Sequence, residues 1–284
     1  MDESTILVTG ANGQLGRALR KKYPNAHFAD INELDITNSD SVAKFDWSSI
    51  EVIINAAAFT NVDGAETPKG RIAAWQVNAS ALAHLSHVAT EHNITLVHLS
   101  SDYVFDGSHN THKEDEVFSP LSVYGSSKAA GDLLVATIPK HYILRTSWVI
   151  GEGKNFVSTM LGLAQKNISP SVVNDQIGRL TFTSELVRAI DHLLESRCSY
   201  GTYNITNDGN SISWADIARI TFESIGRTDL TVTGISTEEY YNEKKDIAPR
   251  PLQSTLDLSK IHSTGFESKD WKADLLEYIH KETS

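Results

Sequence analysis

Tyr124 and Lys128 stand four residues apart in Val123-Tyr124-Gly125-Ser126-Ser127-Lys128. On a helix that spacing places both side chains on one face. A phenol titrates near ~10, too high to exchange protons freely at neutral pH. A lysine ammonium beside it favours the phenolate and lowers that value. The pair can then move a proton to or from a substrate oxygen. The same spacing also occurs on ordinary solvated helix faces, so a chemical role needs a nucleotide site upstream and a further hydroxyl. Ser100 and Ser101 supply hydroxyls. They follow the apolar run 95–99, at the C-terminal end of a predicted strand, where open α/β sheets bind ligands.

The upstream site is Gly10-Ala11-Asn12-Gly13-Gln14-Leu15-Gly16, between the apolar run 5–9 and the helix-forming run 17–22. Strand, glycine turn and helix are the setting of a dinucleotide fingerprint. Gly10 suits the tight turn, Gly13 the approach of backbone to a pyrophosphate, and Gly16 close helix–strand packing. The spacing is G-x-x-G-x-x-G, and an ordinary glycine-rich turn reads the same way in isolation. Asp30 closes a second strand at 27–29, where an acid binds the adenine ribose hydroxyls and favours NAD over NADP. No arginine directly follows it. Asp35 and Ile36 fall where the chain would flank the adenine, although Asp35 fits a loop or cap equally well. A third strand at 52–55 runs into Ala56-Ala57-Ala58, small residues against which a cofactor can lie. The helical stretch 70–92 carries Asn78 on its apolar face, as a structural bridge or part of a proton path. A fifth strand at 141–144 ends in Arg145-Thr146-Ser147-Trp148.

Alternating strands and helices imply a doubly wound, Rossmann-type parallel sheet with right-handed crossovers. Beyond Gly151 the pattern loosens. Helices are expected at 155–166, 183–195, 212–225 and 271–280, a polar loop at 171–179 and a strand at 201–205. Residues 1–150 are expected to form the dinucleotide-binding domain. Residues 151–284 form mainly a smaller, discontinuous substrate domain, with 183–195 and 201–205 returning to the first. The formal net charge of -11 argues against nucleic-acid and anionic-membrane contact. One cysteine, Cys198, excludes an intrachain disulfide framework. No apolar run reaches membrane-span length and no signal peptide precedes Thr5, which gives a cytoplasmic reading. His84 and His87 share a helix face, but no carboxylate or cysteine set joins them at metal spacing.

Eight segments in order carry a resemblance across nearly the whole chain. They are T-G-A-N-G-Q-L-G (9–16), E-L-D-I-T (33–37), N-A-A-A-F-T-N-V-D-G-A-E (55–66) and S-S-D-Y-V-F-D-G (100–107). They continue with S-P-L-S-V-Y-G-S-S-K (119–128), R-T-S-W-V (145–149), V-N-D-Q-I-G (173–178) and R-P-L-Q-S-T-L (250–256). The sequence resembles the extended short-chain dehydrogenase/reductases and, within them, the dTDP-4-dehydrorhamnose reductases. The resemblance implies reduction, by NADPH or NADH, of the C4 keto group of dTDP-4-dehydro-rhamnose. The product, dTDP-rhamnose, is a precursor of cell-surface polysaccharide. It makes Ser101, Tyr124 and Lys128 the catalytic residues, with Ser101 in place of the family's usual threonine. Tyr124 is the expected proton donor, and Lys128 is expected to hold the nicotinamide ribose. Cofactor contacts are expected from Gly10, Asn12, Gly13, Gln14, Leu15, Asp30, Asp35, Ile36, Ala57, Ala58, Thr60, Asn78, Tyr124 and Lys128. Substrate contacts are expected from Thr60, Val62, Ser101, Asp102, Tyr103, Trp148 and Arg179.

The resemblance also implies a homodimer. Some relatives dimerise through a magnesium site of acidic residues, but no ligand set is assignable on this C-terminal helix. Two departures bear on substrate detail. Arg179-Leu180-Thr181 stands where the family often has a small residue and proline, and the loop between Ser101 and Tyr124 is slightly short. A nucleotide-sugar 4,6-dehydratase or 4-epimerase is the neighbouring alternative. The dehydratases carry Asp-Glu after the catalytic hydroxyl, whereas this chain has Asp102-Tyr103. A non-catalytic regulatory subunit, like the beta subunit of methionine adenosyltransferase, is the alternative from another class. The complete triad argues for an enzyme.

Overall fold

Short strands buried on both faces need not alternate apolar and polar residues, and this sheet is built of such strands. The computed structural model describes residues 1–242 and 247–283. Its sheet contains β1 (Ile6–Thr9), β2 (His27–Ala29), β3 (Val52–Asn55), β4 (Thr95–Ser101), β5 (His141–Thr146) and the strand Gly201–Asn204. All six pair parallel, in the order β2, β1, β3, β4, β5, Gly201–Asn204. The period-two alternation of β1 splits its side chains between two cores. Ile6 and Val8 meet Leu19, Leu186, Ile190 and Leu193 on one face. Leu7 joins Leu82, Leu85, Ala89 and Val135 on the other. The helices that cover the faces include α1 (Gln14–Lys22), α2 (Ser39–Lys44), α3 (Pro68–Trp75), α4 (Ala81–Glu91) and α5 (Val123–Val135). This is the doubly wound fold that the alternation predicts.

Chain order reverses between β1 and β3. Thr9 lies opposite Asn55 in the ladder, so Gly10 and Ala56 leave the sheet side by side. In open α/β sheets this crevice is where ligands bind.

Two local features depart from the sequence reading. The helix expected over 70–92 is interrupted by a π turn, Gln76–Ser80. Asn78 lies in that turn and is fully buried. Its side chain accepts from Phe59 N (2.9 Å) and donates to Phe59 O (3.1 Å) and Ser127 Oγ (3.0 Å). The extra residue turns the amide inward, and those bonds satisfy it. The stretch 171–179, expected as loop, contains Ser171–Val173, parallel to Thr233–Ile235, and Ile177–Gly178, antiparallel to Ile212–Ser213. Segments of two or three residues are too short to show periodicity.

The later part of the chain adds α6 (Phe156–Gln165), α7 (Thr183–Glu195) and α8 (Trp214–Ser224). Ser213 and Asp216 form a reciprocal capping box at the start of α8. Leu161, Ile217, Trp271 and Leu275 fill a separate core there. Among the described residues no helix is long and apolar enough to cross a membrane.

Candidate active site

The glycine turn is held by its backbone. Gly10 has φ +69°, and a Cβ there would lie 2.5 Å from Ala57 N, so both conformation and space demand glycine. Gly13 is the N-cap of helix α1 and offers no side-chain cap, which leaves the first N–H groups of the helix open to a ligand. The Asp30 carboxylate accepts from Asn12 N at 3.0 Å and Ile31 N at 2.8 Å, fixing the turn against the end of β2. Gly10, Gly13, Asp30, Asp35, Ile36, Ala57 and Ala58 line a cleft of about 320 Å³, and no arginine or lysine lines it. Asp35 also closes a local turn by accepting from Thr37 N and Oγ1 at 2.9 and 2.7 Å.

Helix α5 carries Tyr124 and Lys128. Its start is fixed twice: Ser122 Oγ accepts from Gly125 N at 3.1 Å, and Glu66 Oε1 accepts from Val123 N at 2.9 Å. Ser101 ends β4 and caps the short turn Asp102–Val104, accepting from Tyr103 N at 3.2 Å and donating to Asp102 Oδ1 at 3.1 Å. The Tyr103 and Tyr124 rings meet edge to face, 5.6 Å between centroids. Burial pushes the Tyr124 phenol up to about 12, opposed by a hydrogen bond from Ser101. The lowering expected from the lysine is therefore not what the structure shows. Lys128 Nζ donates instead to Leu99 O at 2.7 Å and lies 3.3 Å from His98 Nε2. Burial brings this lysine down to about 8, while Asp132 opposes the shift. Burial also raises Asp102 to about 6.

These side chains open on a cavity of about 630 Å³. Gln14, Leu15, Thr60, Val62, Ser101, Asp102, Tyr103, Tyr124, Lys128 and Trp148 all line it. The sequence reading did not single out Lys154, Phe156 or Trp214, which line it too. Arg17, the first residue of the run 17–22, is another lining residue. Trp214 stacks on Trp148 at 3.8 Å, and Phe156 lies 4.5 Å from Trp214. Nothing local marks that partnership, because 66 residues separate the two tryptophans. Trp148 adopts φ +48°, a strained conformation for a bulky residue, held in place by this stack.

Two residues expected at the site, Arg179 and Asn78, have their side chains bonded elsewhere. Arg179 is buried behind the cavity wall, donating to Asp208 Oδ1 (3.3 Å) and Leu256 O. Its Nε has no hydrogen-bond partner among the described residues, but the side chain does not line the cavity, so no substrate contact is assigned to it. Asn78 is likewise committed to Phe59 and Ser127. Asn12 contributes its backbone to Asp30 and to Arg17, which bonds Asn12 O and Glu152 O. Among the described residues no three His, Cys, Asp or Glu side chains are grouped to hold a metal ion.

A parallel sheet with a glycine turn at its switch point, and a Tyr-x-x-x-Lys helix facing the same cavity, define an oxidoreductase of the extended short-chain type. The model of the RmlD substrate binding domain matches residues 4–284. A dTDP-4-dehydrorhamnose reductase of Aggregatibacter actinomycetemcomitans is 40% identical, over 95% of this chain and 96% of its own. The crystal structure of a dTDP-4-dehydrorhamnose reductase from Clostridium acetobutylicum superposes with a TM-score of 0.90 at 37% identity, covering 98% of this chain and 99% of that one. A Bacillus anthracis dTDP-4-dehydrorhamnose reductase in complex with NADP gives 0.88 at 34% identity, covering 98% of both chains. The chain belongs to this family, that of the RmlD-type dTDP-4-dehydrorhamnose reductases.

Proposed function

We propose that the protein reduces the C4 keto group of dTDP-4-dehydro-rhamnose to give dTDP-rhamnose, with NADPH or NADH as reductant. The observation that carries this reading is the convergence of Ser101, Tyr124 and Lys128 on the cavity that begins at the glycine turn. The names of relatives at up to 40% identity support the substrate. Residues 1–150 would hold the cofactor and residues 151–284 most of the sugar nucleotide. A homodimer is part of the same reading, visible by sedimentation velocity.

The residues fit a dinucleotide. The Gly10 turn and the uncapped start of α1 accept a pyrophosphate, and Asp30 stands where the adenine ribose would lie. A bound reduced nicotinamide supplies the hydride. Tyr124 gives its proton to the oxygen that becomes an alkoxide; its raised pKa keeps it protonated at neutral pH. Ser101 turns its hydroxyl from Asp102 to that oxygen and stabilises the growing charge. Lys128, buried and cationic, holds the ribose. Arg17 and Lys154 bring positive charge to the cavity that receives the diphosphates, and the Trp148–Trp214 pair gives the substrate an aromatic wall. Loss of reduced-nicotinamide absorbance with purified protein and the keto sugar tests the reading. No consumption with either cofactor would sink it.

Only a hydroxyl is required at Ser101. Ser101→Ala is expected to lower turnover by about 10²-fold, the scale of one lost oxyanion donor. Ser101→Thr is expected to keep most of it. Equal rates for the alanine variant and the parent would move the role to Ser100.

The cofactor cleft is lined by Asp30 and no cation. A 2'-phosphate there meets like charge, whereas ribose hydroxyls meet acceptors. The NADP complex of a relative shows that the family accommodates the phosphate in at least one member. NADH is therefore expected to serve within ~10-fold of NADPH in kcat/KM, about 1.4 kcal/mol. Steady-state kinetics with each cofactor checks this, and a hundredfold preference for NADPH would remove Asp30 from the ribose.

A further inference from the structure

A buried polar string runs behind the catalytic lysine and is not used by the mechanism above. Thr9 Oγ1, at the end of β1, donates to Asn55 Oδ1 on β3 at 2.6 Å. Asn55 Nδ2 lies 3.0 Å from His98 Nδ1 on β4. His98 Nε2 lies 3.3 Å from Lys128 Nζ on α5. Thr9, Asn55, His98 and Lys128 are each no more than 2% exposed. Burial, with the lysine charge second, holds the His98 imidazole well below its usual range, so the ring is neutral. A neutral ring carries one proton, and its position decides whether the string is consistent.

With the Asn55 nitrogen at Nδ1, the ring proton sits on Nε2 and points at Lys128. An ammonium has three donors and no acceptor, so two donors would face each other across 3.3 Å. Rotating the Asn55 amide removes the conflict. Its oxygen then accepts from Nδ1–H, its nitrogen donates to Thr9 Oγ1, and Nε2 accepts from the lysine. Nδ1, Nε2 and Lys128 Nζ then each have a partner, as burial demands, while the Thr9 hydroxyl gives up its acceptor on Asn55. The first arrangement suits only a neutral amine.

We infer that His98 is a positioning residue for Lys128, and that its tautomer follows the charge of the lysine: Nδ1–H with Nε2 accepting when Lys128 is an ammonium. The string thereby links the charge of the lysine to Thr9, the residue before the Gly10 turn. Other ionisable groups surround the pair. Asp132 on α5 lies 3.9 Å from His98 Nε2 and is tied to Arg145 of β5 at 3.1 Å. Tyr124 shares the α5 face, and Asp102 follows β4. This inference rests on the catalytic reading of Lys128.

The first test needs no activity. ¹⁵N NMR of the whole protein, at pH below the lysine titration, should show His98 with Nδ1 protonated and Nε2 bare. An Nε2–H tautomer there overturns the inference. The second test is the pH dependence of kcat/KM. An acceptor for the charged form raises the lysine pKa, so removing it lowers that pKa and moves the alkaline loss of activity to lower pH. His98→Leu should shift that limb down by about one pH unit, the scale of a hydrogen bond to a charged group. His98→Gln, whose amide oxygen can replace Nε2, should restore it. A His98→Leu profile that overlays the parent also overturns the inference. If His98→Leu does not fold, the NMR tautomer and the His98→Gln limb decide. Full activity in Lys128→Met would instead sink the catalytic reading and leave the tautomer result standing, so the two failures are distinguishable.

Discussion

Tyr124→Phe is expected to lower turnover by at least ~10²-fold, the usual scale for a lost general acid. Phenylalanine keeps the edge-to-face contact with Tyr103 and the packing of α5, so the fold and cofactor affinity should be nearly unchanged. The loss should appear in kcat, because the proton is delivered only as charge builds on the substrate oxygen. Single-turnover kinetics with saturating cofactor separates this from slow product release. Turnover equal to the parent's would remove Tyr124 from the reaction and take the proposed mechanism with it.

Arg145→Met is expected to cost about 3–5 kcal/mol of stability, the penalty for leaving one member of a buried ion pair alone. Arg145 Nε donates to Asp132 Oδ2 at 3.1 Å, with the two side chains 4% and 1% exposed. The guanidinium also lies over the Phe105 and Phe118 rings, 5.2 and 4.9 Å from their centroids. Burial already raises the Asp132 carboxyl, and Arg145 is the strongest opposing influence. Without it the carboxyl rises further. A carboxyl whose folded pKa exceeds its unfolded value is favoured while protonated and loses stability as pH rises above the unfolded value. The deficit should therefore be smaller in acid and larger at neutral pH. Urea denaturation at both pH values measures it. A loss of about 1 kcal/mol or less at neutral pH, typical of an exposed pair, would show that the pair is not buried in solution.

The sheet and its glycine turn were legible because their signals are local. Apolar runs at 5–9 and 52–55 end in glycine and alanine, and Asp30 sits one residue past its strand. The candidate triad was legible for the same reason: i and i+4 on a helix, and a serine pair at a strand end. What escaped depends on distant partners. The role of Arg179 was set by Asp208 and Leu256, the π turn by Phe59 and Ser127, and the strain at Trp148 by Trp214. The phenol pKa was misjudged because adjacency on a helix does not tell how deeply a face is buried. Desolvation raises it, the Asp102 and Asp132 charges add to the rise, and a hydrogen bond from Ser101 opposes it.

The π turn has a mechanical meaning. One amide, Asn78, is bolted to the chain leaving β3 through Phe59 and to α5 through Ser127, while α5 lies so close that a Cβ on Gly131 would strike the Asn78 carbonyl. The loop beside the crevice at the glycine turn and the helix that bears Tyr124 are thus parts of one bracket. Deleting a single residue from the turn would let α3 and α4 fuse into an unbroken helix. It would also swing the amide about 100° around the helix axis and free the two surfaces that this one side chain now holds in register.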